Sequence, residues 1–458
     1  MKLFGIALLQ SMLSLSLVAC MVGCAREPDT NKVSGDVKTR IPVAEEGGAY
    51  SLKQVTLQGI TSLYELSGSF AQFYIYPAIA GNKLTGTAPK TRFIKSGDLY
   101  VAADDLSQQM AVIYHHLQNL AELDNEVGAA GVNHWPRDVG MAVRYRRNNG
   151  FDSNNAFYDG SIDAILVVPY TQNNLPIAVN AGILAHEHFH SLYYKLVDKD
   201  MFEKESEPLH GKRVREEVLG IVANGTEIAA KVEPVDSFVE KYHKLLSGGL
   251  NEGLADFWAW VYTGDPDFLQ LSLPSEKVDR TLNLSEKAEK EYKFPNKEDF
   301  SARIDNSTIR VSEDGTPNPC RGDRVKYCLG TDYARTLKRF VTVVQNSRGL
   351  SSTEARKLVA TAVVTALPTI KQELLKYKTN EFFSPESFFT HLENNFTGIR
   401  ADEKAFLQDI VTKASAHSHN ADDAQAKPAP ASIRPSGRGE QKPTATISPA
   451  PIKRGDRK

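Results

Sequence analysis

The sequence predicts an α+β protein, with an N-terminal mixed β/α lobe and a mostly α-helical C-terminal lobe. Three observations carry this. Leu52–Val101 alternates apolar and polar residues, as in Gln72-Phe73-Tyr74-Ile75-Tyr76 and Thr91-Arg92-Phe93-Ile94, which is the period of strands. Two apolar runs, around residues 183–193 and 250–260, carry their polar residues at helical spacing. Beyond residue 265, Tyr333–Val344, Ser352–Leu367 and Pro385–Asn394 read as helices.

Taken in order, residues 1–19 read as a signal peptide, with Lys2 before an apolar run that ends in small residues. Leu17-Val18-Ala19-Cys20 resembles a bacterial lipobox, so lipidation is expected at Cys20, with Cys24 a poorer second candidate. This implies a lipid-anchored protein of the bacterial cell envelope, on the outer membrane or facing the periplasm. Residues 20–50 are polar and Gly-punctuated and read as a flexible tether. Residues 51–264 form the predicted β/α lobe, in which Leu106–Leu123 is a helix. Asp159-Gly160, between Ala156-Phe157-Tyr158 and Ala164–Val168, signals a type I′ hairpin. Residues 265–415 form the helical lobe, and 416–458 a Pro- and Ala-rich basic tail, predicted disordered, that an anionic envelope surface could contact. Cys320 and Cys328 are closely spaced in a loop-like stretch, and an exported chain favours a disulfide between them. The net charge of −2 argues against a nucleic-acid partner.

The chemistry concentrates in His186-Glu187-His188-Phe189-His190. Residues i and i+4 share a helix face, so His186 and His190 can present two imidazole nitrogens to one Zn²⁺. Glu187 stands beside them, where it can take a proton from an attacking water. His188 occupies a variable position of the motif. A catalytic zinc needs a third protein ligand. Gly248-Gly249 suits a loop, and in Leu250-Asn251-Glu252-Gly253-Leu254-Ala255-Asp256-Phe257-Trp258 two acids sit one turn apart among large apolar residues. Acids rarely sit there unless paired or metal-bound. Glu252 is the predicted third ligand, and Asp256 the acceptor for a ligand histidine's free N–H. The plainer alternative is a half-buried helix with two solvated acids.

HExxH followed by Asn-Glu-x-x-x-Asp resembles the gluzincins, the thermolysin-like zinc metallopeptidases. Asn155-Ala156-Phe157-Tyr158-Asp159-Gly160 is similar to that family's substrate-binding segment, and Asp265-Pro266-Asp267-Phe268 to one that follows its glutamate helix. The similarity covers about residues 99–270. It implies a metallopeptidase fold, one Zn²⁺ on His186, His190 and Glu252, Glu187 as base, Asn251 and Asp256 behind the ligands, and an extended peptide or protein substrate on a sheet edge at Asn155 and Ala156. The gap between His190 and Glu252 is longer than thermolysin's and nearer that of neprilysin-like members. The family's oxyanion-binding groups map only to Tyr242, His243 or Tyr327. A different class of reading is a non-catalytic envelope lipoprotein that keeps a gluzincin fold.

Overall fold

The structure is a computed structural model that describes residues 30–80, 82–144, 146–147, 150–199, 238–311, 318–376 and 383–424. The chain divides into two units, Met1–Ser418 and His419–Lys458. Of the second, only the end of one helix is described. Residues of both predicted lobes fall within the first unit, so the boundary at 264 is not a break between compact bodies. The signal peptide, Cys20, Cys24 and most of the basic tail lie outside the described residues.

One five-stranded sheet contains β1 (Gly35–Ala44), β2 (Tyr50–Ser62), β3 (Ser67–Gly68), β6 (Phe93–Ser96) and β7 (Leu99–Ala102), in the order β3-β2-β1-β7-β6. The predicted tether is corrected here. From Gly35 on it is a strand, antiparallel to β2, that buries Val37, Thr39 and Ile41 and turns Lys38 and Arg40 outward. The charged outer face hid a period of two. Helix α1 (Asp105–Glu126) starts where Asp104 accepts the Ser107 N–H at 2.7 Å. Its Met110, Ile113, Tyr114, Leu117 and Leu120 are fully buried, at the spacing of one broad helical face.

The second sheet runs β11-β12-β8-β4-β5, with β4 (Ala71–Ala80), β5 (Lys83–Thr87), β8 (Arg137–Met141), β11 (Ala156–Asp159) and β12 (Ala164–Val167). Strands β4, β8 and β12 are parallel, and β11 is an antiparallel edge. A two-residue pair, β9 (Arg146–Arg147) with β10 (Gly150–Phe151), stands apart. The turn after β11 is not the predicted type I′ hairpin. It spans residues 160–163, and the positive φ of 50° falls on Asp163. Gly160 is required for another reason: a Cβ there would lie 2.7 Å from the Tyr194 ring.

The helices are α2 (Ala181–Tyr193), α3 (Phe238–Thr263), the short α4 (Lys277–Arg280), α5 (Glu286–Glu291) and α6 (Lys297–Asp305), then α7 (Val325–Arg348), α8 (Ser352–Leu374), α9 (Ser387–Asn395) and α10 (Ala401–Ala424). A π-turn, Tyr194–Asp198, continues α2. Helix α10 carries the fold past the predicted limit at 415. Gly248-Gly249 is not a loop but lies inside α3. A Cβ on Gly249 would meet the Leu329 side chain at 2.8 Å, and one on Gly253 the Gly330 carbonyl at 2.3 Å. These glycines are spent on letting α3 and α7 approach closely. Cys320 and Cys328 form a disulfide, with sulfurs 2.09 Å apart. Among the described residues, no helix is long and apolar enough to cross a membrane.

Candidate metal centre

Helix α2 begins at Asn180, whose Oδ1 accepts the N–H groups of Gly182 and Ile183 at 3.0 and 3.1 Å. Its Nδ2 donates to the Phe268 carbonyl and Ser272 Oγ at 2.8 and 2.9 Å, which pins the helix start to the segment after α3. Tyr50 accepts the Ala181 N–H at 2.8 Å, adding the first sheet to the same anchor. Every residue of α2 is buried except His190, which is nearly so.

On this helix His186 and His190 face the same way, with Nε2 atoms 3.0 Å apart. Glu252, on α3, places Oε2 3.4 Å from His186 Nε2 and 3.8 Å from His190 Nε2. Glu187 belongs to the same group: His186, Glu187 and His190 offer donor atoms within 4.8 Å of one another and could hold a metal ion. The Glu187 carboxylate already accepts the backbone N–H of Tyr158 at 2.9 Å.

Each histidine is oriented from behind. Asp256 Oδ1 stands 2.9 Å from His186 Nδ1. Asn251 Oδ1 stands 2.7 Å from His190 Nδ1, so that ring carries its proton on Nδ1 and leaves Nε2 as an acceptor. Arg280, from α4, grips Asp256 with Nη2 at 2.5 Å and Nε at 3.2 Å. Lys326 Nζ, from α7, is 2.7 Å from Glu252 Oε1. Tyr327 completes the wall, its ring centre 4.9 Å from the Arg280 guanidinium and 4.6 Å from Lys326 Nζ.

The electrostatics follow from burial and these partners. Burial pushes the Glu187 carboxyl up to about 7, against the opposing pull of His186. Burial would raise Glu252 as well, but Lys326 and the hydrogen bond to His186 hold it well below the usual carboxylate range. Burial would lower His186, yet its hydrogen bonds to Asp256 and Glu252 raise it. Burial and the charge of His186 lower His190. The charge of Glu252, then burial, pushes the Tyr327 hydroxyl up.

The sequence expectations sort clearly. His186, Glu187, His190, Asn251, Glu252 and Asp256 come together, and Tyr327 joins them. Tyr242 and His243 do not. They lie about 14–15 Å further back along α3, and the Tyr242 hydroxyl donates to the Phe383 carbonyl at 3.1 Å in the core. Asn155 and Ala156 lead into the edge strand β11, with the Asn155 carbonyl accepting from Val168 N–H at 3.1 Å. His188 faces away from the metal group, its Nε2 3.0 Å from Asp124 Oδ1 and its side chain fully buried. Asn133 bonds the same Asp124 and accepts from Ser191 and Lys195. Arg137 and Lys195 pair with Asp163, which accepts the Tyr158 hydroxyl at 2.8 Å. This buried polar web fastens β11 to α2.

Arg280, like Lys326, joins this group without having been singled out in the sequence. It sits in a four-residue helix among charged neighbours, where no periodic signal singles it out. A scan against family models finds no match for this chain, and a search of curated proteins finds none either.

Proposed function

We propose that this chain is a zinc-dependent metalloendopeptidase that hydrolyses extended peptides, acting in the bacterial cell envelope as a lipoprotein anchored through Cys20. The observation that carries the reading is the convergence of His186 Nε2, His190 Nε2 and Glu252 Oε2, with mutual distances of 3.0, 3.4 and 3.8 Å. Ligands about 2.0–2.2 Å from a tetrahedral zinc stand about 3.4 Å from one another, so the trio fits three corners of that site. The two-imidazole, one-carboxylate donor set suits the same metal. The disulfide supports an oxidising compartment.

Zinc, when bound, supplies Lewis-acid polarisation of the scissile carbonyl and acidification of the attacking water. The chain's own groups do the rest. Glu187 holds the Tyr158 N–H on Oε2, which leaves Oε1 to take the water's proton and pass it to the leaving amine. Strand β11 is the outermost strand of its sheet, beside which a substrate backbone would lie, with Asn155 and Ala156 aligning it. Asp256 and Asn251 keep the imidazoles turned so that their Nε2 atoms converge. Metal analysis of the purified protein with a peptide-library digest tests the reading. One zinc per chain and chelator-sensitive cleavage are expected. Zinc retained without any cleavage would leave a metal-bound binding module, and no metal uptake would remove both.

A further inference from the structure

We infer that Lys326 is a positioning residue for Glu252: it occupies Oε1 of that carboxylate, so that Glu252 offers Oε2 alone to a metal. The inference rests on the reading of His186, His190 and Glu252 as a ligand set and deepens it.

The two oxygens of Glu252 have different company. Oε2 faces the two imidazoles, while Oε1 lies 2.7 Å from Lys326 Nζ. The side chains are 8% and 17% exposed, so little water competes for either charge. Shielded from water, a charge-assisted hydrogen bond holds a geometry that an exposed pair would not. The ammonium is itself hemmed in by the Tyr327 ring, which also backs Arg280. Arg280 is committed to Asp256 and reaches Glu252 only at 3.9 Å, so it cannot replace Lys326. The approach of α3 and α7 at Gly253 and Gly330 sets the distance between Glu252 and Lys326, since these residues lie within one turn of the contact.

The chemical consequence concerns coordination number. A carboxylate free at both oxygens can chelate a metal and fill a position that an open catalytic site must keep for water and substrate. With Oε1 tied to an ammonium, Glu252 supplies one donor and the position stays open.

Cobalt(II) as the probe metal tests this, because its visible d–d absorption is strong in four-coordinate sites and weaker at higher coordination number. Cobalt-loaded wild type, Lys326→Met and Lys326→Arg are compared at equal bound cobalt. Wild type and Lys326→Arg are expected to share the strong spectrum, with Lys326→Met showing weaker, shifted bands. A Lys326→Met spectrum that superimposes on the wild type overturns the role of Lys326 and leaves the ligand set standing. Failure of the wild type to bind cobalt overturns the ligand set, and this inference with it. If Lys326→Met does not fold, Lys326→Leu, which also lacks a donor, carries the same comparison.

Discussion

The backbone N–H of Tyr158 donates to Glu187 Oε2 at 2.9 Å, which makes the acid of the HExxH helix and the outermost strand of the sheet one hydrogen-bonded unit. The acid is therefore aimed by the very strand on which a substrate would lie. Glu187→Gln keeps an acceptor for that N–H and removes only the base. It is expected to retain zinc and lose about 10²–10⁴-fold in kcat. Zinc content and turnover measured on one preparation check this, and undiminished turnover removes Glu187 from the role.

Asn251 fixes the tautomer of His190 across 2.7 Å. Asn251→Ala is expected to weaken metal affinity about 10–100-fold while the fold persists. Competition with a chromophoric chelator reads this directly, and an unchanged affinity would show that the imidazole needs no help from Asn251.

Gly253→Ala places a methyl 2.3 Å from the Gly330 carbonyl oxygen, a backbone atom that cannot swing aside. The helices must part, at a cost of about 1–3 kcal/mol. Chemical denaturation should show the loss.

Asn155→Ala keeps the backbone carbonyl that accepts from Val168, so the entry into β11 survives. The expected result is a normal melting temperature with a reduced kcat/KM on peptides. Normal kinetics would assign Asn155 to shaping the chain alone.

Glu403 is fully buried at the start of α10 and accepts from Arg348, Ser347 and the Arg400 N–H. Burial would raise its carboxyl, but Arg348 and Ser347 hold it down to about 2. A folded-state value below the unfolded one means the stabilisation is present above about pH 4.5 and is lost as pH falls toward 2. Glu403→Gln should cost about 1.5–3 kcal/mol at neutral pH and flatten that acid limb. Urea titrations from pH 7 to pH 3 measure both.

The donors were legible because they are local. His186 and His190 share one helix face, Glu252 and Asp256 share another with Asn251 next to them in the chain, and a period of 3.6 reveals each pair. What brings the two faces together is not local. Lys326 reaches the site because α3 and α7 meet closely at Gly249, Gly253 and Gly330, Arg280 comes from the separate short α4, and glycines at a helix crossing look like glycines in a loop. Strand β1 was hidden in the same way, since Lys38 and Arg40 give the segment a tether's composition while Val37, Thr39 and Ile41 give it a strand's burial. The remote Tyr242 shows the converse: a chemically suitable residue at a plausible point in the sequence can serve only the core.

The outermost strand β11 also bears on how copies of this chain meet one another. The outermost strand of a sheet is where a neighbouring molecule's strand can add, which at high concentration is a route to aggregation. Here the strand is four residues long and largely buried, and Glu187 already holds the Tyr158 N–H, so little is left to template such a pairing. The bond that aims Glu187 thus also limits association between molecules.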